Sequence, residues 1–274
     1  MKYISQPLPQ KLQVNEIFSY FEEHFEEDFT FPGESHNFSE LVCVHSGRVG
    51  ITADDRAYEL TEGMAVLHKP NEFHTIRSLG GTTPTVTILS FSSLPVLPSG
   101  IFNISREQFT ILDVISSKLF KNISYSRRDD SVFIHIDLED PEFQIVKNLL
   151  EALLLMFDTA DRIKPQRTDR DKVFSSIVRY MQDNVEKKIT AEDICRHTGL
   201  GRTYLKTLFK QYTGMGIMHY FLMLKLKKST EMLLSGTPIG EISETLGFSS
   251  QNYFSYAFKK EYSMTPMKYR DTFK

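Results

Sequence analysis

Apolar and polar residues alternate along the first third of the chain in short runs. The run "ELVCVHSGRVGITA", which begins at Glu40, is rich in β-branched side chains, and "GMAVLHKP" and "TVTILSF" follow it. Gly, Asn and Pro lie between these runs. Alternation with such separators is typical of β-strands. Short strands at this spacing, from about residue 29 to residue 92, predict a sandwich or a small barrel.

After these strands, two segments have the pattern of helices. Ser105 and Gln108 form the signature of a capping box for "SREQFTILDVISSKLF", and Pro141 opens "PEFQIVKNLLEALLLMFD". Apolar residues cover more than one face of the second segment, so this helix needs burial on two sides. The pattern leaves two hypotheses open: a core helix of its own domain, or a helix that pairs two copies of the chain.

The second half of the chain contains two short helices with clear start and stop signals. Thr190 and Asp193 are expected to cap "AEDICRHT". Pro238 is expected to open "PIGEISETL" at the first helical position, where no N–H is needed. Gly199 and Gly247 are expected to end these helices by adopting a left-handed backbone.

A second helix follows each short helix across a Gly turn, with the sequences "RTYLKTLFKQY" and "QNYFSYAFKKEY". Two short helices joined by a turn of three or four residues form a helix-turn-helix. The sequence therefore predicts two such units, near 190–212 and 238–262. Segment 216–236 between them is long enough for one helix of nearly 20 residues, which would span about 27 Å at 1.5 Å per residue. That length suits two recognition helices in successive major-groove turns of one duplex, about 34 Å apart.

Each second helix is expected to have a buried stripe and a polar stripe. The residues predicted to be buried are Leu205, Leu208 and Phe209 in the first unit, and Tyr253, Phe254, Ala257 and Phe258 in the second. On the polar side, Gln and Asn can address adenine, Arg can address guanine, and Ser, Lys and helix N-termini can hold phosphates. The predicted contacts with double-stranded DNA are Arg202, Thr203, Lys206, Thr207, Lys210, Ser249, Ser250, Gln251, Asn252, Ser255, Tyr256 and Lys259.

The net charge of −3 hides a difference between two parts of the chain. Residues 1–165 contain 14 Lys and Arg against 24 Asp and Glu, whereas residues 166–274 contain 18 against 11. A basic part on an acidic chain favours a polyanionic partner for that part. The charged stretch 158–171 has no apolar period, which is typical of a linker. We therefore predict domains 1–160 and 172–274, with 161–171 as the linker.

The composition disfavours several classes of protein. No apolar run reaches the roughly 18 residues that a membrane span needs. The first residues lack the apolar core of a signal peptide, so we expect a cytoplasmic protein. Cys43 and Cys195 lie far apart without metal-ligand spacing and are expected to be buried free thiols. The sequence shows no Ser-His-Asp set, phosphate-binding Gly loop or Cys nucleophile. We predict no catalytic residue and no enzyme, because fusion to a DNA-binding part favours sensing over catalysis.

The last hundred or so residues resemble the DNA-binding domain of AraC/XylS-type transcription regulators. The resemblance is carried by "ITAEDICRHTGLGRTYLKTLFKQYTG", by "KLKKSTEMLLSGTPIGEISETLGFSSQNYFSYAFKKEYSMTP" and by the "YR" that follows. Ser229 and Ser243 stand where the family usually has Ala, Ser263 replaces a usual Gly, and Lys225 replaces a usual Arg. These departures are small or conserve charge, so the implied fold is unaffected.

The segments "ESHNFSELVCVHSGRVG" and "GMAVLHKPNEFH" resemble the two cupin motifs, which the same family uses in its effector-binding domain. The resemblance places Glu34, His36, Glu40 and His74 at the positions of the cupin site. On a continuous strand, the first three would point to one face, which we expect to be the barrel interior. Asn71 departs from the usual Gly, although Asn tolerates a left-handed backbone.

The resemblance and the residues leave three hypotheses for these four side chains. They could hydrogen-bond a small effector such as a sugar or another metabolite, ligate a metal in a cupin enzyme, or satisfy one another and bind nothing. His45 and His68 are interpreted as structural. We predict an α+β fold, with a cupin-like barrel or sandwich and its helices followed by an all-α domain. The predicted function is a ligand-responsive, DNA-binding transcriptional regulator that forms a homodimer, with no metal and no cofactor. The alternatives are a metal-dependent cupin enzyme and an effector-independent DNA-binding protein.

Overall fold

A computed structural model gives the structure of residues 6–128, 131–160, 162–163 and 167–273. The fold is α+β, as predicted. The chain divides into two compact units. Unit 1 comprises Met1–Thr30, Glu34–Ile51 and Tyr58–Gln166, and unit 2 comprises Phe31–Gly33, Thr52–Ala57 and Arg167–Lys274.

The N-terminal strands form a β-sandwich. In chain order they are β1 (Gln13–His24), β2 (Ser39–Ser46), β3 (Arg48–Ala53), β4 (Arg56–Thr61), β5 (Met64–His68), β6 (His74–Ser78), β7 (Thr85–Leu94) and β8 (Gly100–Asn103). One sheet has the antiparallel order β1-β7-β2-β5-β8, and the other has the order β4-β3-β6. Strand β1 lies before the range that the sequence pattern predicted. Register shifts after Val14 and after Ile17 interrupt its alternation, which explains why the pattern did not indicate it.

The two faces of the five-stranded sheet differ in character. Leu41, Leu67 and Leu89 lie on one face, in a buried apolar core that the following helices also enter. Glu40 is in register with His68 on β5 and with Ser90 on β7, so these polar residues line up on the opposite face. The polar row therefore crosses three neighbouring strands at one end of the sheet.

Two helices and a hairpin complete unit 1. They are α1 (Arg106–Asn122), β9 (Ile123–Arg128), β10 (Ser131–Ile136) and α2 (Asp140–Thr159). Ser105 and Gln108 form the predicted capping box of α1, and Pro141 lies in the first turn of α2 as predicted. The hairpin β9–β10 was not predicted.

Helix α2 buries one side in the core of unit 1. Leu150 and Leu154 are fully buried against the sheet and α1, which confirms that α2 is a core helix. Phe143 and Ile145 of the same helix remain 44% and 42% exposed, and Phe120 of α1 is 66% exposed. These exposed apolar side chains are consistent with the second hypothesis, in which the same helices pair two protomers.

Unit 2 contains the C-terminal helices. They are α3 (Asp169–Asp183), α4 (Ala191–Thr198), α5 (Arg202–Thr213), α6 (Ile217–Leu234), α7 (Ile239–Thr245), α8 (Gln251–Tyr262) and α9 (Pro266–Phe273). Within the described ranges, no helix is both long and apolar enough to cross a membrane.

Two boundaries differ from the sequence prediction. Helix α3 begins inside the range 161–171 that was predicted as linker, because Thr168 and Asp171 form a capping box at its start. Residues 161 and 164–166 of that range lie outside the described part of the chain. Pro238 is the N-cap of α7 rather than its first helical residue, with φ −60° and ψ 141°.

Candidate nucleic-acid interface and effector site

The first helix-turn-helix, α4–α5, is fixed by its local hydrogen bonds. The Thr190 hydroxyl accepts from the Asp193 N–H at 3.2 Å, and the Asp193 carboxylate accepts from the Thr190 N–H at 2.9 Å. Gly199 has φ 70° and donates its N–H to the Cys195 carbonyl at 2.9 Å. The predicted cap and the predicted left-handed stop are both confirmed. Together they set where α4 begins and where it ends.

Helix α5 has the predicted buried and exposed sides. Leu205, Leu208 and Phe209 are buried in unit 2. The residues predicted to contact DNA are all exposed: Arg202, Thr203, Lys206, Thr207 and Lys210. One face of α5 is therefore polar and open to solvent, as a recognition helix requires.

Several of the exposed α5 side chains are hydrogen-bonded within unit 2. A guanidinium nitrogen of Arg202 lies 2.6 Å from the Glu192 carboxylate, on the preceding helix. The Lys210 ammonium donates to the Gly214 carbonyl at 2.5 Å, which caps the C-terminus of its own helix. Both cations would have to exchange these partners in order to contact DNA.

In the second helix-turn-helix, α7–α8, other residues cap the helices. The Ser250 hydroxyl accepts from the Tyr253 N–H at 3.1 Å and caps α8. Gly247 has φ 66°, so the predicted left-handed turn after α7 is confirmed. Ser263 occupies the C-cap of α8 in the left-handed region, with φ 56°, where a Gly is usual.

One residue of α8 was placed wrongly from the sequence. Phe254, Ala257 and Phe258 are buried as predicted, but Tyr253 is 45% exposed. The Phe248 ring, which enters from the turn, lies 5.0 Å from the Phe254 ring and fills the space beneath the first turn of α8. Tyr253 is consequently turned outward and joins the candidate interface.

The exposed side of α8 carries the remaining predicted DNA contacts. Ser249, Ser250, Gln251, Asn252, Tyr256 and Lys259 are exposed, and Ser255 is half-buried. Apart from the Ser250 cap, none of these side chains hydrogen-bonds another residue in the part of the chain that the structure describes. Their polar groups are thus available to a partner without breaking an internal bond.

Helix α6 connects the two helix-turn-helix units of unit 2 as one continuous helix of 18 residues, which confirms the predicted connection. The ammonium of Lys225 donates to the carbonyls of Lys187 and Leu246, near the ends of α3 and α7. Burial, together with the charge of Lys188, lowers the pKa of Lys225 to about 8. Lys at this position therefore joins three helices of unit 2.

The second candidate site lies in unit 1, where a short bridge brings two segments together. Glu34 and His74 exchange backbone N–H···O hydrogen bonds of 3.0 Å in both directions. Residues 34–40 do not form the continuous strand on which the shared face of Glu34, His36 and Glu40 depended, because residues 35–38 belong to no strand and β2 begins at Ser39. The four predicted side chains nevertheless converge. One potential ligand atom from each of Glu34, His36, Glu40 and His74 lies within 4.8 Å of the others.

The two imidazoles of this cluster face the Glu40 carboxylate through their Nε2 atoms. His74 Nε2 lies 3.2 Å from Glu40 Oε1, and His36 Nε2 lies 3.6 Å from Glu40 Oε2. His36 Nδ1 is 3.0 Å from the Phe38 carbonyl, and His74 Nδ1 is 2.9 Å from the Glu72 carbonyl. A carbonyl oxygen only accepts, so each Nδ1 carries a proton and donates. In the neutral form of each ring, the lone pair is therefore on Nε2 and inside the cluster.

The electrostatics of the cluster hold Glu40 as an anion. Burial alone would raise the pKa of Glu40, but hydrogen bonding from His36 and His74, followed by the charge of His74 and of His68, holds it well below its usual range. Burial lowers the pKa of His74, but contact with Glu40 outweighs this and raises it to about 9. Partial removal of water, followed by the charge of Glu40, raises the pKa of Glu34.

Residues that the sequence analysis did not assign to the site support it. The Ser90 hydroxyl donates to Glu40 Oε2 at 2.9 Å and accepts from the Ser19 hydroxyl at 2.8 Å. His68, interpreted as structural, stacks on His74 with centroids 4.4 Å apart, and its Nδ1 lies 2.8 Å from the Glu72 carboxylate. The i,i+4 spacing of His68 and Glu72 is the sequence signal that could have indicated this pair.

Aromatic rings flank the cluster on one side. The Phe38 ring stacks on His36 with centroids 3.8 Å apart and on Phe18 with centroids 4.2 Å apart. Phe18 is 36% exposed, so the stack reaches solvent. His45 is not part of this cluster, because its Nε2 lies 2.7 Å from the Thr87 hydroxyl.

Comparison with known proteins agrees with both halves of this description. Residues 18–94 match the family described as AraC-like ligand binding domain, and residues 194–272 match the family described as Helix-turn-helix domain. The chain is an AraC-type transcriptional regulator. The first match contains the polar cluster, and the second contains all of α5 and α8. In this AraC-type regulator, an effector-binding domain thus precedes a DNA-binding domain.

Curated relatives match most of the regulator. The HTH-type transcriptional activator RhaR of Pectobacterium carotovorum subsp. carotovorum is 25% identical over 251 residues, covering 89% of this chain and 87% of the relative. RhaR of Yersinia pestis bv. Antiqua is 26% identical over 266 residues, covering 89% and 86%. The crystal structure of ToxT from Vibrio cholerae covers 92% of this chain and 96% of its own, with 16% identity and a TM-score of 0.40.

Proposed function

We propose that the regulator reads a double-stranded DNA operator with α5 and α8 placed in successive major grooves. The observation that carries this proposal is the repeated plan of unit 2. In each helix-turn-helix, a short helix and a left-handed Gly precede a second helix that buries its apolar side and exposes its polar side. The 18-residue helix α6 between them is about 27 Å long, which suits grooves about 34 Å apart.

We further propose that a small effector, a sugar or another metabolite, binds at Glu34, His36, Glu40 and His74. Buried polar groups beside aromatic rings are typical of small-molecule sites. An effector can shift the regulator between two states only by as much as it prefers one of them. The relatives are named transcriptional activators, so activation is the direction of control that we propose.

A homodimer is part of the proposal. The exposed apolar side chains of α1 and α2, with Phe120, Phe143 and Ile145 among them, support pairing of two protomers through these helices. Because the chain is a DNA-binding regulator, we propose that it is not an enzyme. For the same reason we propose that it acts in the cytoplasm, where it would meet its operator. A metal-dependent cupin enzyme and an effector-independent DNA-binding protein are the alternatives that experiment must exclude.

The operator can be identified by selecting, from a random pool of DNA duplexes, those that the protein binds. Selection from a random pool by the full-length protein should enrich two recognition elements about one helical turn apart. Footprinting of the enriched duplex should show protection on one face of the DNA. Enrichment of a single short element, or of no sequence, would contradict the proposal.

The effector is tested separately by thermal unfolding of the full-length protein with a panel of sugars and other metabolites. Binding at a saturation of about 100 times Kd stabilises the folded protein by about 2.7 kcal/mol, which is measurable as a rise in Tm. The matched variant is Glu40→Gln, which removes the charge and preserves the shape. A ligand that raises the Tm of both proteins equally binds elsewhere, and an inactive panel would favour effector-independent DNA binding.

A further inference from the structure

We propose that Tyr256 contacts the 5-methyl group of a thymine in the major groove, so that α8 selects an A·T base pair. The inference rests on the proposed reading of an operator by α8. It deepens that function, because it names the base pair and the chemical group that one side chain recognises. The observation that carries it is an exposed aromatic ring in the middle of the polar side of α8.

The ring of Tyr256 differs from other aromatic rings of α8 in its surroundings. Phe254 and Phe258 are buried. Tyr262 packs on Phe258, with ring centroids 4.6 Å apart. Tyr256 is 66% exposed, and in the part of the chain that the structure describes its ring stacks on no other ring and its hydroxyl forms no hydrogen bond. A single exposed ring needs no explanation by itself, so its place on the helix decides what it can do.

Tyr256 lies on the side of α8 that faces away from the core. Asn252 precedes it by one turn and Lys259 follows it by one turn, and residues at these spacings share a helix face. Both neighbours are exposed to solvent. Tyr256 is in the second turn of α8, and the N-terminal part of a recognition helix is the part that contacts base edges. In the proposed complex, the ring is therefore within reach of a base.

The groups around the ring favour an A·T base pair. The Asn252 side chain can form two hydrogen bonds with adenine, and the thymine of the same pair presents its methyl group in the same groove. An aromatic side chain offers a large apolar surface to such a methyl group, whereas cytosine presents an amino group and no methyl. Lys259 supplies a positive charge one turn further along, where it can reach a phosphate. Asn252 and Tyr256 thus favour the same base pair.

The corresponding position of α5 lacks an aromatic ring. Tyr204 and Tyr253 occupy equivalent places in the two recognition helices, so Thr207 is the counterpart of Tyr256. The Thr207 hydroxyl donates to the Thr203 carbonyl at 3.0 Å, within its own helix. The contact between an aromatic ring and a thymine methyl group therefore belongs to the half of the operator under α8.

The test uses the full-length protein and the duplex that the operator selection enriches. The half of the duplex under α8 is the half whose protection Gln251→Ala weakens. Each thymine of that half is replaced, one at a time, by deoxyuridine, which lacks only the 5-methyl group and leaves base pairing unchanged. Binding is measured by gel-shift titration at a single salt concentration, because phosphate contacts make the affinity depend on salt.

We expect one of these replacements to weaken binding by the wild type about fourfold, the effect of exposing one methyl-sized group. Tyr256→Ala should bind the thymine and deoxyuridine duplexes equally, and Tyr256→Phe, which keeps the ring, should retain the difference between them. Replacement of the same A·T pair by G·C should weaken binding, and 5-methylcytosine in that pair should restore part of the loss for the wild type and none for Tyr256→Ala. Deoxyuridine in the half under α5 is the matched control, and its effect should be the same for the wild type and Tyr256→Ala.

The proposal is overturned if no deoxyuridine replacement weakens binding by the wild type, or if the replacements affect the wild type and Tyr256→Ala equally. It is also overturned if Tyr256→Phe weakens binding as much as Tyr256→Ala does, because the hydroxyl and not the ring would then make the contact. Circular dichroism checks that each variant is folded, and the comparison of duplexes with the wild type needs no variant. If no duplex is enriched, the proposed function fails together with this inference. Selective binding that does not respond to the methyl group removes the inference alone.

Discussion

The two helix-turn-helix units of this regulator reach the same shape with different local chemistry. In the first unit, a Thr190–Asp193 capping box starts α4, and Gly residues lie at both ends of α5. In the second, Pro238 starts α7, and Ser250 and Ser263 lie at both ends of α8. The shared apolar positions determine how the helices pack, whereas the caps only need to satisfy the helix ends. The repeat is therefore a repeat of packing and of left-handed helix ends, whereas the residues that start the helices differ.

The polar sides of the two recognition helices also differ. On α5, Arg202 is paired with Glu192 and Lys210 with the Gly214 carbonyl. On α8, Gln251 and Asn252 have no hydrogen-bonded side-chain partner among the described residues. Exchange of an existing partner reduces the net gain from a new one. We therefore propose that α8 contributes more to sequence readout and that α5 contributes more through charge.

The largest effect is expected from loss of a base contact. Gln251→Ala and Arg202→Ala should each weaken specific operator binding by about 1–3 kcal/mol, with the Gln251 variant at the upper end because Arg202 must first leave Glu192. Quantitative footprinting or gel-shift titration measures the change. Gln211→Ala is the matched control, because Gln211 is exposed on α5 outside the predicted contacts. Unchanged protection would remove the tested residue from the interface, and a larger loss for Arg202→Ala would reverse the comparison.

The salt dependence of binding should separate the lysines of α5. Each phosphate contact adds about 0.9 to the slope of log Kobs against log salt. Lys206→Gln should lower the slope by about 1, and Lys210→Gln by less, because the ammonium of Lys210 already serves the Gly214 carbonyl. Titrations at several salt concentrations from about 50 to 200 mM measure the slope. A binding constant that does not change with salt would contradict phosphate contacts altogether.

Removal of the helix caps tests whether the two helix-turn-helix units are stabilised independently of each other. Thr190→Ala should destabilise the α4–α5 unit by about 1 kcal/mol, and Ser250→Ala should destabilise α8 by a similar or smaller amount. The first loss should be the larger, because Thr190 and Asp193 satisfy each other's N–H groups. Hydrogen exchange of the amides in α4 and α8 reports each unit separately. Ser249→Ala, which removes an exposed Ser with no cap, is the control and should leave both unchanged.

The smallest expected effect is a gain in stability. Ser263 adopts φ 56°, a left-handed conformation that favours Gly. Ser263→Gly should stabilise unit 2 by about 0.5 kcal/mol, because relief of strain is partly offset by the greater freedom of Gly in the unfolded chain. The shift is measured by urea unfolding, with Ser249→Gly as a control that should not stabilise. A loss of stability in Ser263→Gly would mean that the Ser side chain makes a contribution beyond the cap.

Much of unit 2 could be predicted because its signals are local. The caps at Thr190, the left-handed glycines at 199 and 247, and the helix between the two units all follow from residues within a few positions of one another. The wrong predictions in unit 2 concern features that local sequence signals do not specify. Tyr253 was predicted to be buried, yet the Phe248 ring from the turn takes that space. The start of α3 was missed because the charged residues that cap it resemble a linker.

The polar cluster in unit 1 depends more on contacts between distant parts of the sequence than unit 2 does. The resemblance to cupin motifs indicated Glu34, His36, Glu40 and His74, but the contribution of Ser90 and Ser19 depends on strands far apart in the sequence. Strand β1 itself was not predicted, because its bulges interrupt the alternation. The partners of a site on a sheet follow from strand register, which local sequence does not specify.

By itself, the sequence determined the class of fold, the two repeated helix pairs, the capping box of α1, both ends of α4 and the family resemblance, because each depends on short-range hydrogen bonds or on the period of apolar residues. Only the tertiary structure decided which polar groups have partners. It paired Arg202 with Glu192, left Gln251 without a hydrogen-bonded side-chain partner among the described residues, and placed the Nε2 atoms of two imidazoles beside one carboxylate. The physical reason is that a hydrogen bond or a ligand shell depends on positions to within a fraction of an ångström. Such positions arise only when all of the elements pack together.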